Sequence, residues 1–186
     1  IMADTSYIVN GVLEDGEAWV AISTATSSGS TATFTFTSTD DGQVGDFSQY
    51  LDLILIFYVN STGSYSKLNF NNDTGSNYAY QNLYGNGAND YAGSGAATYF
   101  DGAWYNNTTK FGSAIVHLFD INSGKYKSGI TQVASDADGS GNVALTATTW
   151  KSQAPITEID IIDAGTANFL NGSTVSLFGI LPRMVA

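Results

Sequence analysis

Apolar residues in this chain recur at every second position, and over no useful length do they recur at the helical period. Thr33-Phe34-Thr35-Phe36-Thr37 is the plainest case, and Trp19, Ala21 and Ser23 oppose Val20, Ile22 and Thr24 in the same way. Period two with β-branched and aromatic residues is the pattern of strands buried on one face. Further strands are predicted over Tyr65–Phe70, Asn77–Tyr84, Thr98–Tyr105, Gly112–Ile121, Gly129–Ser135, Asn142–Trp150, Thr157–Ile162 and Thr174–Ile180. Leu51–Val59 is apolar on both sides and reads as a central strand covered on both faces. Turn pairs separate the strands: Ser28-Gly29, Asp41-Gly42, Thr62-Gly63, Asn86-Gly87, Ser123-Gly124, Asp138-Gly139 and Asn171-Gly172. About ten short strands at this spacing predict an all-β fold, an antiparallel two-sheet β-sandwich of jelly-roll type. With no fixed-period repeat and no linker, residues 1–186 read as one domain. Gly85–Gly95 reads as a long loop.

Charge narrows the partners. Seventeen acids against six Lys and Arg give a formal net charge of −11, and Lys125 and Lys127 are the only close basic pair. Nucleic-acid binding runs on clustered cations, so no nucleic-acid partner is expected. No apolar run reaches the roughly 18 residues of a spanning helix, and the acidity would repel an anionic bilayer, so no membrane partner is expected either. There is no cysteine, which excludes disulfides and thiolate metal sites. Met2-Ala3-Asp4-Thr5-Ser6 reads as an ordinary translation start without a signal peptide.

Residues that could carry chemistry are few. The single histidine, His117, falls on the strand face of Ile115 and Phe119; with no Gly-x-Ser-x-Gly elbow in the chain it reads as a satisfied strand residue. Asp136, Asp138 and Ser140, with Gly141 at the sixth position, match the start of an EF-type calcium loop. The twelfth position is Ala147 where a bidentate Glu is needed, so the run reads as a strand connection and no metal or other cofactor is expected. A glycoside hydrolase needs two carboxyls flanking a cleft, and no acid here sits in a recognisable catalytic run. The chain is not expected to be an enzyme. Aromatic residues crowd into a region short of aliphatic ones, as they do at interfaces. Tyr78, Tyr80, Tyr84, Tyr91, Trp104 and Tyr105 are therefore interface candidates, joined by Leu181, Met184 and Val185 in an apolar C-terminal tail.

Asn69 to Gly87 reads Asn-Phe-Asn-Asn-Asp-Thr-Gly-Ser-Asn-Tyr-Ala-Tyr-Gln-Asn-Leu-Tyr-Gly-Asn-Gly: short polar residues, glycines and spaced tyrosines, the makings of ordered turns on a β surface. This run, together with Ile156-Thr157-Glu158-Ile159-Asp160 through Asn168-Phe169 and Gly172-Ser173-Thr174-Val175-Ser176-Leu177-Phe178-Gly179-Ile180, resembles small β-sandwich virion proteins of tailed bacteriophages, especially aquatic ones. The two runs cover about a quarter of the chain. The resemblance implies a virion structural protein, a capsid decoration (cement) protein on the outer capsid surface, with the major capsid protein as partner. Self-association, as a homotrimer, is expected from the surplus of Tyr and Trp. The alternative within the same fold is a tail or fibre receptor-binding module recognising host surface glycans.

Overall fold

In the computed structural model, residues 8–9, 12–13, 19–63, 65–104, 110–136, 138–164 and 167–182 are described. A short hairpin, β1 (Ile8–Val9) with β2 (Val12–Leu13), precedes the main body. The strands that follow are β3 (Trp19–Thr26), β4 (Thr33–Thr37), β5 (Asp52–Val59), β6 (Tyr65–Phe70), β7 (Tyr78–Gly85) and β8 (Asp90–Ala97). Then come β9 (Phe100–Trp104), β10 (Gly112–Phe119), β11 (Lys127–Asp136), β12 (Gly141–Trp150), β13 (Glu158–Asp163) and β14 (Thr174–Ile180).

Every pairing is antiparallel, in one sheet of order β3-β14-β5-β10-β11-β12-β7-β8 and one of order β4-β13-β6-β9. If the β1–β2 hairpin and β7, β8, β11 and β12 are set aside, eight strands remain, and they pair from the outside in. The first pairs with the eighth (β3–β14), the second with the seventh (β4–β13), the third with the sixth (β5–β10) and the fourth with the fifth (β6–β9). The β14–β5 and β13–β6 ladders then close the two four-stranded sheets of a jelly roll. The other four strands are two inserted hairpins, β7–β8 between β6 and β9, and β11–β12 between β10 and β13. They pair with each other through β12–β7 and extend the larger sheet past the edge of the smaller one. This extension is called the wing below.

The core lies where the sheets overlap. Leu53, Leu55, Phe57, Val116, Leu118, Val175 and Leu177 from one sheet meet Phe34, Phe36, Leu68, Phe70, Phe100, Ile159 and Ile161 from the other, all buried. In β4 the alternation is read directly, both Phe inward and all three Thr outward. Phe70 anchors one end, with ring centres 5.3 Å from Phe100 and 5.5 Å edge-on from Trp150. The sheets approach closely over β11: a Cβ on Gly129 would meet the His117 carbonyl at 2.5 Å and the Phe100 ring at 2.7 Å.

Three expectations need correction. β5 is covered on both faces only near its start, where Ile54 is buried; further along the same face Ile56 and Tyr58 point to solvent. Gly85–Gly95 is not a long loop. Asp90–Ala97 is a strand laddered to β7, and the connection is 86–89, where the Asn86 side chain accepts from the Ala88 and Asn89 amides. Glycine-rich sequence has little strand preference of its own, and here the β7 ladder supplies the order. Leu181 belongs to the protein's own core, so that part of the tail closes its own sandwich.

Candidate functional site

The run from Asn69 to Tyr78 is a structural hub. The Asp73 carboxylate accepts from the Trp150 indole N–H (2.7 Å), the Gly75 amide (2.9 Å) and the Asn77 side chain (3.0 Å). The Asp73 carbonyl accepts from the Tyr78 hydroxyl (2.9 Å) and the Asn69 amide group (2.8 Å). Burial raises the energy of the Asp73 charge, yet these donors hold its pKa below the ordinary carboxylate value. Burial pushes the Tyr78 hydroxyl up to about 12. The hub fastens the end of β12 to the β6–β7 turn, and so sets where the wing leaves the sandwich.

Beyond that hub the inner face of the wing has no second sheet over it. Tyr78, Tyr80, Asn82 and Tyr84 share this face by alternation, but Tyr78 sits opposite Trp150 over the core and is fully buried. Its expected place at an interface is therefore corrected. Tyr80 and Tyr84 lie past the edge strand β9, and with Tyr91 they line one wall of a cleft of about 400 Å³. The facing wall is Tyr65, Tyr99 and Asp101, from or beside the small sheet. Tyr84 and Tyr91 stack with centres 4.6 Å apart, while the Tyr65 and Tyr99 hydroxyls lie 3.3 Å apart. The floor is open because β8 carries glycine there. A Cβ on Gly93 would meet Asn82 Oδ1 at 2.9 Å, and one on Gly95 would meet the Tyr80 ring at 3.3 Å.

Asp101 is the unusual member. It is 6% exposed, and burial pushes its carboxyl up to about 6, opposed only in part by the Thr146 hydroxyl. Its neighbour across the β6–β9 ladder is Lys67, whose ammonium lies instead over the Tyr99 ring, 4.9 Å from its centre. Among the described residues the Asp101 carboxylate forms no ion pair. Tyr99 is raised above the ordinary tyrosine range by burial, and further by the Tyr65 hydroxyl and the Asp101 charge, so its hydroxyl stays a donor. The cleft thus offers ring faces, hydroxyls, one amide and one carboxyl. Tyr65 and Asp101 carry no signal in the sequence, and Tyr99 stands there only as one of the crowded aromatics between Tyr78 and Tyr105; they reach the cleft from or beside a different sheet, which no spacing reveals.

Among the described residues, nothing packs over most of the opposite, outer face of the large sheet either. Trp19, Ile56, Tyr58, Leu83, Ile115, Val143 and Leu145 all point out of it, from 38% exposed at Ile56 to 71% at Val143. On this face, between β3 and β8, acidic and basic side chains are confined to Asp52, Asp90 and Asp136 at strand ends and His117 beside Asp52. Seven strand spacings of about 4.8 Å make it roughly 34 Å across, and six or seven residues make it about 20 Å long. A depression of about 530 Å³ lies in it, lined by Gln81, Leu83, Ala92, Ser94, Leu145 and Ala147 among others.

The remaining candidates are held in place internally. His117 Nε2 lies 2.8 Å from Asp52 Oδ2, and Asp52 Oδ1 accepts from the Asp120 amide, which ties the end of β10 to β5. Asp136 Oδ1 accepts from the Asp138 and Gly139 amides and so caps the β11–β12 turn. No group of three or more His or acidic side chains converges among the described residues. Of the basic pair, Lys127 is buried and donates to the Ser123, Lys125 and Gln153 carbonyls, while Lys125 lies at the surface. The side chain of Trp104, and all of Tyr105, Met184 and Val185, lie outside the described residues. No protein-family model and no curated protein matches the sequence.

Proposed function

We propose that this protein is a non-catalytic virion component of a tailed bacteriophage, a decoration protein that binds the major capsid protein through the outer face of its larger sheet. The observation that carries the reading is that uncovered apolar face. Contiguous apolar patches beyond a few hundred Å² mark interaction sites, and interface centres are depleted of charge as this face is. The whole outer face, hydroxyl and amide side chains included, has a footprint of roughly 700 Å², close to the ~800 Å² per partner of a standard specific interface. The jelly-roll pairing and the two resembling sequence runs agree with a virion role. The acidic residues lie off this face or at its rim, where they serve solubility. A homotrimer at three-fold or quasi-three-fold positions of the shell is the assembly we favour.

Binding to purified shells tests it. Wild-type protein should bind at stoichiometry comparable to the major capsid protein and stay bound in molar NaCl, because apolar contacts are not screened. The double variant Leu83→Ser, Leu145→Ser should fail to bind while folding normally. Release of wild-type protein by modest salt, or undiminished binding by the double variant, defeats the reading.

A further inference from the structure

We infer that the tyrosine cleft between the wing and β9 is a binding site for a neutral saccharide. The cleft and the docking face lie on opposite sides of the same sheet, so a molecule docked by its outer face presents the cleft away from the shell. That orientation rests on the docking reading above; the cleft itself does not.

The chemistry of the walls selects the ligand class. Five tyrosines offer ring faces, which suit the C–H faces of a pyranose, and their hydroxyls suit its rim. Asn82 and the carboxyl of Asp101 add a donor and acceptors that no apolar ligand would satisfy. Asp101 is more than nine-tenths buried, forms no ion pair among the described residues and lines the cleft, so its carboxyl can accept from a ligand hydroxyl there beside the Thr146 hydroxyl. An anionic ligand meets that carboxylate and a chain of net charge −11. A cationic ligand meets Lys67, which already lies over the Tyr65 and Tyr99 rings. A volume of about 400 Å³ falls at the small end of the usual range for small-molecule sites, roughly 300–1,000 Å³, which suits one or two sugar rings. Gly93 lines the cleft without a side chain, and a Cβ there would meet Asn82 Oδ1 at 2.9 Å.

The test uses the isolated full chain and a panel of neutral di- to tetrasaccharides built from glucose, galactose, mannose, xylose and N-acetylglucosamine, read by saturation-transfer NMR and calorimetry. At least one should bind with a millimolar or tighter Kd. Tyr91→Ala should weaken it about tenfold, and Asp101→Asn should weaken it measurably while the fold is retained by circular dichroism. Tyr126→Ser, an exposed tyrosine outside the cleft, should leave it unchanged. No saturable binding to any member of the panel overturns the inference, as does binding that Tyr91→Ala leaves intact. Binding of tetramethylammonium in place of every saccharide also overturns it and makes the cleft a cation cage. Each of these readouts is independent of shell binding, so failure of the cleft and failure of the docking face are told apart.

Discussion

Replacing Asp101 by Asn should make the protein more stable at neutral pH and leave it unchanged in acid. Asp101 is buried beside Thr146 with no ion pair among the described residues, and its pKa rises from 3.8 to about 6. At 1.36 kcal/mol per tenfold change in the ionisation constant, that rise corresponds to about 3 kcal/mol. Its sign follows from proton counting. Between about pH 4 and 6 the unfolded chain has lost this proton and the folded chain keeps it, so stability falls as pH rises through that window. Below pH 4 both states are protonated and nothing is lost; above pH 6 the whole penalty is present. Asparagine has nearly the same shape and no charge to bury. The variant should therefore gain about 2–3 kcal/mol at pH 8 and nothing near pH 3.5. For a chain of this length that is roughly 5–10 °C in Tm.

Urea denaturation and thermal melts of both proteins at matched concentration, in steps from pH 3.5 to 8, measure it. The difference between variant and wild type is the diagnostic quantity, since the other acids titrate equally in both. A variant less stable than wild type at pH 8 would refute the reasoning. It would mean that the Lys67 ammonium leaves the Tyr99 ring and pairs with the carboxylate, which Asn cannot replace. A gain that does not change with pH would refute it too, because packing and not ionisation would then be its source.

Asp73→Ala strips the indole of Trp150, the Gly75 amide and the Asn77 side chain of one shared acceptor. It should cost about 3 kcal/mol in urea denaturation and weaken the near-ultraviolet tryptophan signal. Gly129→Ala places a methyl 2.5 Å from the His117 carbonyl and 2.7 Å from the Phe100 ring, and should cost about 2–3 kcal/mol as the sheets are forced apart. Leu83→Ser with Leu145→Ser should cost the isolated protein no more than about 1–2 kcal/mol, because both side chains are about half exposed and what is lost is chiefly their cross-strand pair; shell binding should be lost altogether. Lys127→Met leaves the Ser123 and Lys125 carbonyls without their buried donor and should cost about 2 kcal/mol by thermal melt at neutral pH.

Where a strand has one wet face and one core face, its sequence is almost a transcript of its position. β4 alternates Thr and Phe, and β13 and β14 alternate intermediate and buried residues in step with their spacing. The reading failed where apolar residues lie on a face that the described residues leave open. β5 looks like a strand buried on both sides because Ile54, Ile56 and Tyr58 are apolar, yet only Ile54 of that side is buried and the other two are exposed. An apolar residue records that it is kept from water, not which chain keeps it. The same gap explains the tyrosines. Tyr78, Tyr80 and Tyr84 are equivalent by alternation, and what separates them is how far the small sheet reaches: it ends at β9, so Tyr78 is roofed by the core while Tyr80 and Tyr84 face the cleft. No local pattern encodes the width of a distant sheet. Gly93 and Gly95 were misread for a related reason, since their lack of side chains is an instruction from Asn82 and Tyr80 across the ladder. The two surfaces left over, an apolar one with nothing on it and a polar aromatic one with a buried acid in it, are the places where the sequence cannot be explained by its own fold. Both are explained if each is completed by another molecule.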